Sequence, residues 1–206
     1  TFLWVFITKL AESKQYLENT KRNESFSQFS DLNNYIKSLN INIELQYAND
    51  FNMERLAQMT QKTNQFNLTT KRYLVSNLND LLINKSIIIS ASVSDKFGDS
   101  GITGLLIFKY LNSNELEIDN FLLSCRILGK EIESTFLNFS LNFIKEKGFK
   151  KIFAKFVPTK KNQQVQNFYE KNAFLILKTL EDGSKFYSKS LKNNIEINNL
   201  HKIKLI

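Results

Sequence analysis

Three apolar runs rich in β-branched residues, Ser86–Val93, Thr103–Tyr110 and Glu115–Cys125, follow one another and are parted only by turn formers. The first gap is Asp95-Lys96-Phe97-Gly98-Asp99-Ser100-Gly101 and the second Asn112-Ser113-Asn114. Gaps this short and polar predict hairpin turns, so the three runs predict an antiparallel meander. Such a sheet must bury a face, and the next segment supplies the cover. Over 130–147, Ile132, Phe136, Phe139 and Phe143 fall on one helical stripe, with Gly148 placed as a C-terminal cap.

The pattern extends on both sides. Ile41, Ile43, Leu45 and Tyr47 alternate as on one face of a strand. Asp50 is placed to cap a helix carrying Met53, Leu56 and Met59, and Thr69 or Thr70 a second helix running to Leu82. After the Phe-striped helix, a strand over 151–157 stops at Pro158, a helix is predicted over 162–171, and strands over 174–180 and 185–191 flank Asp182-Gly183. The order βααβββαβαββ predicts a mixed α/β domain. Upstream, Leu10, Tyr16 and Leu17, then Leu32, Tyr35, Ile36 and Leu39, recur at helical spacing, with a break over 19–30. The expected division is a helical extension or connector at 1–39, one domain at 40–192 and a tail at 193–206.

Composition removes several function classes. A chain with one Cys and one His, Cys125 and His201, forms no internal disulfide and assembles no Cys/His zinc site, so no metal is expected. The longest apolar runs, Phe2 to Ile7 and Ile102 to Phe108, fall far short of the ~20 residues of a membrane span. A soluble, reduced, cytoplasmic protein is expected, and a start without Met suggests a piece of a longer one. The net charge of +8 favours polyanionic partners. Lys145, Lys147, Lys150 and Lys151 straddle a helix end, where cations suit the exposed carbonyls. No aromatics alternate with basic residues, which argues against nucleic acid.

The chemistry concentrates at two junctions. The third meander strand runs directly into Arg126-Ile127-Leu128-Gly129-Lys130-Glu131 at the start of the Phe-striped helix. Unpaired N–H groups at a helix start, with Arg126 and Lys130 adjacent, suit a phosphate or pyrophosphate; a plain strand-to-helix turn relieved by Gly129 is the structural alternative. Further on, Asn162 and Tyr169 stand seven apart, two turns of the predicted helix. The amide of Asn162 suits an amide-bearing chain such as pantetheine, and the Tyr169 phenol suits protonation of a departing thiolate. Cys125 reads either as an acyl acceptor or as a small buried strand residue. Thr63, Asn64, Gln65 and Asn67 read either as a polar substrate wall or as caps and loop bonds. Asp99 and Asp119 are the carboxylates available as bases, Asp99 within a turn, and His201 lies in the expected tail.

The element order, the Arg126-x-x-Gly129 turn and the N-x6-Y element followed by Glu170-Lys171-Asn172-Ala173-Phe174 resemble the GNAT acyltransferase superfamily across about 40–191. Gln61 to Thr70, Asp95 to Asp99, Phe121 to Gly129 and Pro158 to Asn162 further resemble the carboxy-terminal half of FkbH-like proteins, four motifs in the same order. The resemblance implies a mostly antiparallel central sheet with helices on both faces. It also implies acyl transfer to or from a pantetheine thiol, carried by an acyl carrier protein or coenzyme A; the family is associated with loading glyceryl units from a phosphorylated three-carbon donor. On that reading Arg126, Ile127, Leu128, Gly129 and Lys130 hold the phosphate end, Asn162 the pantetheine arm, and Tyr169 is the general acid. The implied partners are an acyl carrier protein and a haloacid-dehalogenase-like phosphatase domain, whose D-x-D-x-T motif does not occur in the chain. A rival reading is a non-catalytic module that docks the carrier. Two positions depart from the superfamily pattern: Glu131 stands where the turn has a small residue, and Ala173 where Gly is usual.

Overall fold

The computed structural model describes residues 16–18, 20–22, 24–26 and 29–206. In chain order its main elements are α1 (Leu32–Ser38), β1 (Asn42–Tyr47), α2 (Met53–Lys62), β2 (Phe66–Asn67), α3 (Val75–Ile83), β3 (Ile87–Asp95), β4 (Gly98–Asn112) and β5 (Glu115–Leu123). There follow α4 (Ile132–Glu146), β6 (Lys151–Phe156), α5 (Phe168–Lys171), β7 (Leu175–Thr179), β8 (Lys185–Ser190) and β9 (Lys202–Leu205). The expected meander is present: β3, β4 and β5 pair antiparallel in sequence order. The sheet runs β7-β8-β6-β5-β4-β3-β1-β9, with β2 added on β5. Only β5–β6 and β1–β9 pair parallel; the other pairings are antiparallel.

Because both faces of the central strands are apolar, the sheet is covered on both sides. Leu106 and Phe108 of β4 point into a large core closed by α1, α4 and α5, through Ile36, Phe136, Leu141 and Phe168. Leu105 and Ile107, the alternate residues, point into a smaller core closed by α2 and α3 through Leu56, Met59 and Leu78. The mixed α/β reading with helices on both faces therefore holds.

Five expectations need correction. Asp50 does not cap α2, whose N-cap position is taken by Asn52. Neither Thr69 nor Thr70 caps a helix; a two-residue strand, β2, precedes them, and α3 starts later, where the Asn77 side chain accepts the Leu74 N–H (2.9 Å). The helix over 162–171 is broken into a 3-10 turn, Gln163–Val165, and the single turn of α5. Residues 193–206 are not a loose tail. They cross α4, where Asn142 exchanges hydrogen bonds with the Ile195 backbone (2.7 and 2.9 Å), and end as β9 alongside β1. His201 is the clasp of this segment, its ring nitrogens at 2.7 Å from the Lys130 carbonyl and 2.9 Å from the Thr135 hydroxyl. Finally, within the break expected over 19–30, residues 20–22 and 24–26 are helical, while 29 and 30 are not. Phe2 to Ile7 and Leu10 lie outside the described residues.

An ion pair ties that upstream segment to the domain. Arg22 reaches Asp95 with two hydrogen bonds, 2.7 and 2.9 Å, and both side chains are largely buried. Asp95 also accepts the N–H groups of Phe97 and Gly98 (3.0 and 3.2 Å), so one carboxylate closes the β3–β4 turn and anchors the extension. Burial raises the pKa of Asp95, but Arg22 and the Phe97 N–H outweigh it and hold the carboxyl below its ordinary value. A depressed folded-state pKa stabilises above the unfolded value of about 4, and this contribution is lost as pH falls through the folded value. Asp95→Asn is expected to cost about 2–3 kcal/mol at pH 7 in urea melts, a deficit that shrinks as both proteins are acidified. Equal midpoints at pH 7 would contradict this role.

Candidate functional site

The site is shaped by a split in the sheet. The parallel pairing of β5 with β6 runs only from Glu115–Lys151 to Ile118–Ala154. At that point β5 carries an extra residue: Ile118 faces Phe108 and Asn120 faces Ile107 on β4, leaving Asp119 as a bulge. Beyond it the two strands part, and the chain fills the gap itself. Phe66 and Asn67 pair with Leu123 and Leu122. Leu68 bridges the gap, its N–H donating to the Phe121 carbonyl (3.0 Å) and its carbonyl accepting the Val157 N–H (2.8 Å). Phe66 locks this insert by edge-on contacts with Phe121 and Phe168, ring centres 5.3 and 5.0 Å apart. The bulge is secured from the same loop: the Asp119 carbonyl accepts the Thr69 hydroxyl (3.0 Å), and its carboxylate accepts from Lys71 (2.5 Å) and from Tyr73.

This insert gives several expected site residues structural work. Asn162 is buried; its amide donates to the carbonyls of Asn67 (3.0 Å) and Val157 (2.9 Å), and its oxygen accepts the Thr159 N–H (2.7 Å). No donor is left for a pantetheine arm. Asn67 is likewise buried, bonded to the Thr63 carbonyl (3.2 Å) and the Thr70 N–H (2.8 Å), and does not line a substrate wall. Because the predicted helix is broken, Asn162 and Tyr169 do not share a helical face. Tyr169 is sealed among Phe168, Phe174 and Tyr187, and its hydroxyl has no hydrogen-bond partner. Burial, then Tyr187 and Glu117, push its pKa well above the ordinary phenol value, so it meets no thiolate in this conformation.

The expected phosphate cradle is also spent. Cys125–Ile127 forms a 3-10 turn in which the Ile127 N–H donates to the Ser124 carbonyl (3.2 Å) and the Leu128 N–H to the Cys125 carbonyl (3.4 Å). Gly129, at φ +77°, donates its N–H to the Glu133 carboxylate (3.2 Å). Burial raises the Glu133 pKa, partly offset by the N–H groups of Glu133, Gly129 and Ile132. The start of α4 therefore already holds a side-chain acceptor of its own. Lys130 is half-buried near Asp95 rather than facing a ligand; burial lowers its pKa and Asp95 opposes that. Glu131 is exposed at φ +58° and contributes to a groove of about 410 Å³ together with Glu133.

What the fold does bring together is a larger pocket on the other side of the 3-10 turn, about 760 Å³ in volume. Thr63, Asn64 and Gln65 form one wall, Ser124, Cys125 and Arg126 another, and Met59 an apolar floor. Cys125 is exposed there as a free thiol, which settles against the buried-strand alternative. Sequence reasoning missed Arg55, which with Lys62 forms an i, i+7 stripe of α2; Lys160 and Lys161, within the Pro158 to Asn162 motif, come from the loop after β6. It also missed Arg72, which shapes the polar wall by donating to the carbonyls of Thr60 and Thr63 (the latter 2.8 Å) and to the Asn64 side chain (2.5 Å). Among the described residues no helix is long and apolar enough to cross a membrane, and no cluster of His, Cys, Asp or Glu is placed to hold a metal ion.

No family model matches the chain, and no curated protein matches it. Solved structures do. Ard1 from Thermoplasma volcanium aligns with a TM-score of 0.58 at 15% identity, covering 73% of this chain and 99% of its own. The GNAT domain of S. lividans PAT aligns at 0.55 and 12% identity, over 71% and 89%. The fold is GNAT-like. A third neighbour, PaiA N-acetyltransferase from Thermoplasma acidophilum, was solved in complex with coenzyme A and aligns at 0.54 with 17% identity, over 72% and 98%. In this chain, however, most of the residues expected to hold coenzyme A do not fit it: the N–H groups of Ile127, Leu128 and Gly129 are donated internally, the Asn162 amide is fully engaged, and Glu131 and Glu133 line the groove beside them, while Arg126 faces the pocket on the other side of the turn.

Two substitutions separate structural from chemical roles. Asn162→Ala removes three buried hydrogen bonds and should cost about 2–4 kcal/mol. Tyr169→Phe removes a hydroxyl that satisfies nothing, so its midpoint should be unchanged or higher by about 1 kcal/mol. Thermal and urea melts measure both, and a clear loss in Tyr169→Phe would show that the hydroxyl has a partner.

Proposed function

We propose that this domain is an FkbH-type acyltransferase acting in the cytoplasm, moving an acyl group to or from the pantetheine thiol of an acyl carrier protein. A glyceryl unit is the acyl group that the motif resemblance implies. The observation that carries the reading is the pocket: Cys125 and Arg126 line it together with Thr63, Asn64 and Gln65, within a GNAT-like fold that it shares with a protein named as PaiA N-acetyltransferase. The fold's usual thiol carrier, coenzyme A, is not assigned a place in it. A carrier protein presents the thiol from outside, at the open mouth rimmed by Lys160 and Lys161, where the acidic surface usual for such carriers meets positive charge. A haloacid-dehalogenase-like phosphatase domain is the second partner in this reading.

Cys125 is the reachable group of the two expected to act chemically. Its thiolate adds to the acyl carbonyl, the donor's leaving group departs and takes a proton from solvent, and a thioester on Cys125 results. The pantetheine thiolate then adds to the same carbonyl and expels the Cys125 thiolate. Arg126 and the lysines stabilise the oxyanion formed at each addition.

The second reading, a docking module without chemistry, is favoured by the structural engagement of Asn162 and Tyr169. The two are separated by incubating the chain with a glyceryl-loaded carrier and a second, unloaded holo carrier, followed by intact-mass measurement. Transfer with a glyceryl adduct on the chain is expected, and Cys125→Ser should abolish the adduct and slow transfer by at least about 10²-fold. Carrier binding with neither adduct nor transfer would establish the docking reading instead.

A further inference from the structure

Helices α2 and α3 cover one face of the sheet only where β3, β4 and β5 form it. The smaller core takes Ile88, Leu105, Ile107 and Leu122 from those strands and nothing from β6, β8 or β7. The rest of that face is open, and its residues follow from the strand register. Lys155 of β6 stands opposite Phe186 of β8, and Phe186 opposite Lys178 of β7; one row along, Phe153 stands opposite Ser188. Opposed residues of an antiparallel pair share a face, as do residues two apart on a strand, so these side chains and Lys151 form one surface.

Phe153 and Phe186 belong to neither core. Both are half-buried, and a lysine ammonium lies over each ring: the Lys151 Nζ is 4.7 Å from the centre of Phe153 and the Lys155 Nζ 4.9 Å from that of Phe186. Lys151, Lys155 and Lys178 take no part in the ion pairs of the described residues. Carboxylates stand at the borders, Glu115 and Glu117 of β5 beside Lys151 and Phe153, and Asp182 of the β7–β8 turn in the field of Lys155. The alternation of aromatic and basic residues that sequence reasoning did not find is therefore present, assembled across three strands.

Such a surface has what a single strand of nucleic acid needs, a flat ring for each of two bases and a cation beside each ring for the phosphate. The two rings are diagonal neighbours, their backbones about 7–8 Å apart, a step that successive bases of an extended strand span. A base stacks on a ring more strongly than a surface ammonium does, so each lysine is free to swing from its ring to a phosphate. The net charge of +8 attracts a polyanion from a distance. An acidic protein surface would meet the same lysines but would leave the rings without flat partners. We propose that the open face of β6, β8 and β7 binds single-stranded nucleic acid, with bases stacked on Phe153 and Phe186 and phosphates met by Lys151, Lys155 and Lys178. None of these residues lines the pocket, so the site stands or falls independently of acyl transfer.

The test is fluorescence anisotropy with labelled oligothymidylate and oligouridylate of about 12 nucleotides, a length within the usual span of such sites. Saturable binding is expected at low ionic strength, weakened at least about fivefold by Phe153→Ala and by Phe186→Ala and kept by Phe186→Tyr, which retains a ring. Three phosphate contacts predict that log affinity falls against log salt with a slope of about −2, and Lys155→Gln should make that slope shallower by about 0.7. Tighter binding of the uridylate assigns the site to RNA, and of the thymidylate to DNA. The proposal is overturned if neither oligonucleotide binds at about 100 μM protein, or if both alanine variants bind as tightly as the parent, which leaves only attraction to the net charge. It is also overturned if polyglutamate binds through the two rings while the oligonucleotides do not, which assigns the face to an acidic protein. Both rings lie outside the cores, so the variants should fold, and circular dichroism melts check this.

Discussion

The parting of β5 from β6 at the Asp119 bulge is the constraint on which the rest of the molecule turns. Two strands that separate inside a sheet leave backbone donors and acceptors facing each other across a gap too wide to bridge directly, and buried groups of that kind must find partners. Here the partners come from the chain. Leu68 satisfies one group on each side, Asn162 ties the insert to the end of β6, and Phe66 fills the apolar space beneath. Once the gap is filled from within, an extended ligand has no sheet edge to bind there. Chemistry must then occur at the mouth of the gap, where the 3-10 turn presents Cys125 and Arg126.

Electrostatics follow the same division. The positive end of α4 is met by Glu133, the second residue of the helix, and Glu131 lies beside it. The opposite side of the 3-10 turn gathers five cations and no carboxylate. Two neighbouring clefts of opposite sign direct an anionic ligand to one of them, since like-charge placement costs more than distance alone would save. The turn Cys125–Ile127 separates the two and contributes its outward side chains to the basic one.

The meander, the Phe-striped helix and the β7–β8 hairpin were legible because period-2 and period-3.6 patterns extend over enough residues to be recognised. β2 was not, because two residues carry no period, and its existence depends on a gap formed by strands distant in sequence. β9 was available as a signal: Lys202, Ile203, Lys204 and Leu205 alternate, and Glu44 on β1 pairs with Lys204 at 2.8 Å. Half of the pocket was legible from local motifs, namely Thr63 to Gln65, Cys125 and Arg126. Lys62, Lys160 and Lys161 lie within quoted motifs too, but their convergence with Arg55 was not legible, since only the tertiary fold brings α2 to the same pocket as the loop after β6. Asn162 and Tyr169 were misread for a physical reason: a polar side chain beside a gap serves a ligand or the chain, and which one depends on what fills the gap.

Plug and pocket are one continuous segment, and this couples them mechanically. Thr63, Asn64 and Gln65 form the pocket wall, and the next residue, Phe66, begins the insert. Asn67 reaches back to the Thr63 carbonyl, which also accepts from Arg72, so the wall is fixed from two sides. Asn162 holds Asn67 from beneath. A change that loosens the insert therefore propagates to the wall through a chain of hydrogen bonds, Asn162 to Asn67 to Thr63, without any contact between Asn162 and a ligand. In a molecule built this way, a loss of binding accompanied by a loss of stability points to the insert. A loss of binding at unchanged stability points to the exposed cations and to the thiol of Cys125.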